Sequence, residues 1–145
     1  MAEYIYIPNQ SVDYRQGVLL NGSCPCNKGY ILHQDGSALF TLRGPSMCSG
    51  QSRARYQITF NGNIAIPTGG TVGEISVAIA RSGEVLGQSL AAITPAAVEE
   101  YGNVTSTTYL DVPVGCCYSI SVQNTSATAE TINVRNANVT ITRIA

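Results

Sequence analysis

Gly115-Cys116-Cys117-Tyr118-Ser119-Ile120-Ser121-Val122-Gln123 shows the pattern on which the chain is built. Side chains alternate across a strand, so Cys116, Tyr118, Ile120 and Val122 are expected on one face and Cys117, Ser119, Ser121 and Gln123 on the other. The flanks, Asp111-Val112-Pro113-Val114-Gly115 and Asn124-Thr125-Ser126, carry the proline, glycine and asparagine of turns.

The same alternation recurs on both sides of this stretch. Tyr56, Ile58 and Phe60 share a face opposite Gln57 and Thr59; Asn61-Gly62-Asn63 is expected to interrupt the run, and Ile64-Ala65-Ile66-Pro67 to continue it. Between Gly73 and Ala80, Ile75, Val77 and Ile79 read as inward and Ser76, Ala78 and Ala80 as outward. Arg81 to Glu84 turns the chain and Val85 to Ile93 runs back. Val104 to Val112 and Thr131 to Ile144 are further strands.

Toward the N-terminus, Gly17 to Leu20 is a strand candidate closed by an Asn21-Gly22 turn, and Asp35-Gly36 joins Tyr30 to His33 with Ser37 to Leu42 as a hairpin. Residues 1–12 hold a strand-like arm, Tyr4-Ile5-Tyr6-Ile7, too short to be stable without a sheet edge of its own domain or of a neighbour. Thr94 to Tyr101, with a threonine cap, Pro95 and two acids, is the only helical suggestion. The sum is an all-β antiparallel sandwich or barrel of about eight to ten strands, with at most one short helix near 95–101. Residues 13–145 form its single domain.

At 145 residues the chain is long enough for a full core, and with 12% charged residues it has about half the roughly 25% usual for soluble domains. Ser, Thr, Asn, Gln and Gly must cover much of the surface, and such groups cost less to desolvate than Lys or Glu. That suits burial against identical neighbours. A net charge of -1 gives no reason to expect nucleic acid as a partner. No stretch approaches the ~20 apolar residues of a membrane-crossing helix, and the N-terminus lacks the order of a signal peptide. Synthesis in a cytoplasm is therefore expected, and no membrane partner.

From Ala54 onward the order of features resembles the globular heads of the tumour necrosis factor and complement type. The pieces that match are Ala54 to Phe60, Gly73 to Gly83 with Gly87, Asp111 to Gly115, Val122 to Ser126, and the ending Asn136 to Ala145. The resemblance implies a jelly-roll sandwich that assembles as a homotrimer through one sheet face. It departs from the collagen-like members in having no collagen repeat and in carrying five cysteines. As a whole, including the tyrosine-rich start and the Cys116-Cys117-Tyr118 strand, the chain also resembles short proteins of gut bacteria and their prophages, which implies a place on a virion.

Cys24, Cys26, Cys48, Cys116 and Cys117 are the most specific chemical feature. Disulfide crosslinking within or between subunits is the expected reading, with free thiols as the alternative; disulfides are rare in cytosol, and an odd count leaves one cysteine unpaired or shared. Cys116 is expected inward, and Cys117 outward toward the Cys24 to Cys26 loop or another chain. A metal held by Cys24, Cys26, Cys48 and His33 is not expected, since neither Cys24-Pro25-Cys26 nor Cys116-Cys117 has the spacing of a zinc knuckle. A Cys48 and His33 pair, and the adjacent Glu99 and Glu100, are not read as catalytic; no cofactor is implied. Arg43, Arg53 and Arg55 form the one basic cluster.

The expectation is a non-enzymatic structural protein: a homotrimer on the surface of a bacteriophage virion, as capsid decoration or head fibre. Tyr4, Ile5, Tyr6 and Ile7 would dock it on a capsid protein. The alternatives are a trimeric head that binds a receptor or glycan, and a subunit of a spore surface or appendage. The absence of tryptophan removes the commonest sugar-stacking platform but leaves eight tyrosines.

Overall fold

The computed structural model describes residues 2–24, 29–127 and 130–144. In chain order the strands are β1 (Ala2–Tyr6), β2 (Gln10–Val12), β3 (Asn21–Cys24), β4 (Ile31–His33), β5 (Phe40–Arg43) and β6 (Arg53–Ala65). They continue with β7 (Ile75–Arg81), β8 (Glu84–Val85), β9 (Ala91–Ile93), β10 (Gly102–Pro113), β11 (Cys117–Asn124) and β12 (Ile132–Arg143). One antiparallel sheet runs β10-β6-β12-β1-β3 with β2 added beside β12; the other runs β4-β5-β11-β7-β8 with β9 added beside β7. This is the antiparallel sandwich that the alternation predicts, with the jelly-roll form that the resemblance implies. The one helical turn among the described residues is a 3-10 turn at Gly87–Ser89.

The core lies between the sheets. Tyr56, Ile58 and Phe60 of β6 and Ile132, Val134, Val139 and Ile141 of β12 meet Val77 and Ile79 of β7 and Ile120 and Val122 of β11, all buried. Each such side chain contributes roughly 1.5–3 kcal/mol by leaving water. At the β1 end of the core the ring of His33 stacks on Phe40 with centroids 4.3 Å apart, and Tyr4 meets Phe40 edge-on at 4.7 Å. The Nε2 of His33 lies 2.9 Å from the Ser37 carbonyl. His33 is thus a packing residue, as a plain strand histidine should be.

The N-terminal segment is a strand of this domain. β1 pairs with β12 from Ala2 opposite Ile141 to Tyr6 opposite Ala137, and its other edge pairs with β3. Ala2 and Tyr4 are buried, and β2 continues along β12. A docking arm at Tyr4, Ile5, Tyr6 and Ile7 therefore gives way to the own-domain strand, because both edges of its backbone are already hydrogen-bonded and only Ile7 of the four is exposed.

Four local expectations change for identifiable reasons. Asn21-Gly22 is not a turn but the start of β3, since its backbone finds a partner in β1. Asn61-Gly62-Asn63 does not interrupt β6; it runs opposite a bulge in β12 between Arg135 and Asn138, where Asn136 adopts φ 54°. Gly62 permits this, because a Cβ there would sit 2.9 Å from the Phe60 ring. Ser76, Ala78 and Ala80 are buried together with their inward neighbours, so β7 is covered on both faces. Thr94 to Tyr101 forms no helix: Glu99 takes φ 59°, its N–H donates to the Ile66 carbonyl at 2.8 Å, and its carboxylate accepts from the N–H and hydroxyl of Thr68.

Candidate functional site

Two surfaces stand out, a sheet face and one end of the sandwich. The face is the outer side of β10, β6 and β12. Its uncharged outward residues are Asn103, Thr105, Thr107 and Tyr109 on β10, Gln57, Thr59, Asn61 and Asn63 on β6, and Asn138, Thr140 and Thr142 on β12. Charge flanks this row, with Arg55 and Asp111 at one end and Arg135, opposite Asn63, at the other. The uncharged side chains also satisfy one another: Thr105 Oγ1 donates to Asn61 Oδ1 at 2.9 Å, and Asn103 Nδ2 donates to Asn61 Oδ1 at 2.9 Å and to Asn63 Oδ1 at 3.2 Å. Thr59 and Thr107 share a hydrogen bond of 3.1 Å across the ladder.

A polar face whose donors and acceptors are already paired loses little when water is removed from it. On the edge strand β10, at one end of this row, Tyr109, opposite Gln57, is 57% exposed. Aromatic side chains of this kind anchor protein contacts. Of these positions the alternation gave only Gln57 and Thr59 as outward, with Asn61 to Asn63 read as an interruption; the mutual hydrogen bonding depends on register between strands far apart in the chain.

The second surface is the end of the sandwich where β5, β6, β11 and β12 present Arg43, Arg53, Cys117 and Arg143. Asp111, opposite Arg55, accepts from Arg55 Nε at 2.8 Å and from Nη2 at 3.1 Å, with Arg53 Nη1 3.3 Å from its Oδ2. The hydrogen bond from Arg55 holds the Asp111 carboxyl below the usual carboxylate range; desolvation opposes this, and the charge of Arg53 adds to it. The Arg143 guanidinium lies 4.2 Å over the Tyr30 ring and donates to Gln51. The Tyr56 hydroxyl closes the same end from inside by donating to the Arg43 carbonyl, and burial pushes its pKa up.

Beside Tyr30 and Arg43 lies an open cleft of about 530 Å³, lined also by Met47, Cys116 and Cys117. The loop after β5 is stitched to the turn before β11: Gly44 N–H donates to the Cys116 carbonyl at 2.9 Å and Gly115 N–H to the Pro45 carbonyl at 3.1 Å. Cys48, Cys116 and Cys117 are free and exposed, so no disulfide joins these three. Cys116 is not inward as expected, because Gly115 at φ 70° turns the chain first and the strand starts only at Cys117. Cys26 lies outside the described residues, as does the side chain of Cys24. Among the described residues no three His, Cys, Asp or Glu side chains cluster as a metal site.

No protein-family profile matches the chain, and no curated protein matches it. Solved structures do. The globular domain of the zebrafish complement 1qA protein is similar at a TM-score of 0.61 and 12% identity, over 96% of this chain and 94% of that one. The Eiger tumour necrosis factor of S. frugiperda is similar at 0.67 and 10% identity, over 100% and 92% of the two chains, and murine APRIL at 0.53 and 9%, over 95% of each. At these identities what is shared is the fold, the jelly roll of tumour necrosis factor and complement-type heads.

Proposed function

We propose that the chain is a non-enzymatic homotrimeric head whose β10-β6-β12 face is the subunit contact. The observation that carries this is the pairing of an uncharged, internally hydrogen-bonded Asn and Thr ladder with the exposed Tyr109. Three copies around an axis would bury this ladder and its aromatic anchor while leaving the second sheet outside. The likeness to tumour necrosis factor and complement-type heads supports the reading.

The location proposed for the head is the surface of a bacteriophage virion, as capsid decoration or head fibre, with a capsid or other virion protein as its partner. This rests on the resemblance of the whole chain to short proteins of gut bacteria and their prophages. Since β1 is spent within the sheet, that partner is met by folded surface rather than by strand addition. Mass spectrometry and immunogold labelling of purified particles test it: stoichiometric chain on the particle exterior is expected, and its absence from particles overturns the virion placement.

A further inference from the structure

Cys117 and Arg43 are directly opposed across the β11 and β5 ladder. Opposed residues of an antiparallel pair point to the same face with Cβ atoms about 5 Å apart. Both are exposed, and both line the cleft. Their neighbours on the ladder, Leu42 and Tyr118, turn toward the core. The Arg43 guanidinium has no ion-pair partner among the described residues, whereas Asp111 at the same end is occupied by Arg53 and Arg55. The cleft thus joins a nucleophilic sulfur, a fixed positive charge beside it, and room for a small molecule. Cys48 is a contrasting thiol, exposed on the loop after β5 and in neither strand of this pair.

We propose that Cys117 is a modification site for small anionic disulfides, which Arg43 attracts and orients in the cleft. In the exchange the Cys117 thiolate attacks one sulfur of the disulfide R–S–S–R. The old S–S bond breaks, a new one joins Cys117 to one R–S half, and the other half leaves as a thiolate that takes up the proton the thiol released. The protein sulfur is oxidised and half of the reagent is reduced, so no further oxidant is needed. A unit charge about 4 Å from another in water alters an encounter about fivefold, and salt weakens the effect.

The test uses the whole chain with glutathione disulfide as the anionic probe and cystamine as the cationic one, reading adduct rates at each cysteine by mass spectrometric peptide mapping. The ratio of anionic to cationic rate at Cys117 is expected to exceed that at Cys48 by about twenty-five-fold at low salt, with the anion about fivefold faster and the cation about fivefold slower. It should fall to the Cys48 value in Arg43→Gln and, in the unaltered chain, in about 0.5 M salt. Equal ratios at the two thiols overturn the proposal. So do adducts that form at Cys116 or Cys48 instead, or a loss of two hydrogens with no adduct, which would mean that the cleft thiols pair with each other.

Discussion

The ring of Tyr4 in the first strand meets the ring of Phe40 in the opposite sheet edge-on, with centroids 4.7 Å apart at an interplanar angle of 68°. Tyr4 is 1% exposed. The contact ties the start of the chain into the core, and Tyr4→Ala is expected to cost about 3 kcal/mol of unfolding free energy. Urea denaturation checks it; a midpoint unchanged from the parent chain would restore the reading of residues 1–12 as a separate arm.

The Tyr56 hydroxyl donates to the Arg43 carbonyl beneath the arginine end. Tyr56→Phe leaves that carbonyl without this donor and should destabilise the chain by about 1 kcal/mol. Burial raises the phenol pKa in the folded state. The unfolded chain therefore loses this proton first, so the stability it supplies is complete below about pH 10 and declines as pH rises above that. The alkaline slope of the denaturation midpoint should be shallower in Tyr56→Phe.

Asp111 shows the opposite sign. Its carboxyl is held low chiefly by the hydrogen bond from Arg55, so its contribution is present above the ordinary carboxylate range and is lost as pH falls through the lowered value. In a carbon-detected NMR titration Asp111 should protonate below the ordinary aspartate range, and Arg55→Gln should move it up toward that range.

Gly44 lies where the loop after β5 crosses the turn before β11, and a Cβ on it would fall 1.9 Å from the Pro113 carbonyl oxygen. Backbone cannot yield as a side-chain tip can. Gly44→Ala should cost about 2 kcal/mol by calorimetry, since residue 44 must shift and its N–H also holds the Cys116 carbonyl.

How much of this was readable from the chain depends on the range of the forces involved. Tyr56, Ile58 and Phe60 announced β6 because a half-buried strand writes its faces into alternate residues. Asn21-Gly22 misled because a turn preference is local, whereas β1 supplies a hydrogen-bonding partner from elsewhere in the sheet. Ser76, Ala78 and Ala80 misled because small residues sit on either a wet or a covered face. On the sheet face only Gln57 and Thr59 were visible as outward; the bonds from Asn103 and Thr105 to Asn61 span forty residues or more of sequence and appear only once register is set. The opposition of Cys117 to Arg43 has the same origin.

Light scattering of the purified chain during size-exclusion chromatography, with and without reductant, weighs the subunit contact itself. A mass three times the 15.3 kDa of the chain is expected in both conditions, falling to one chain in Tyr109→Glu with its strand circular dichroism intact. A single-chain mass for the unaltered protein would contradict the trimeric head.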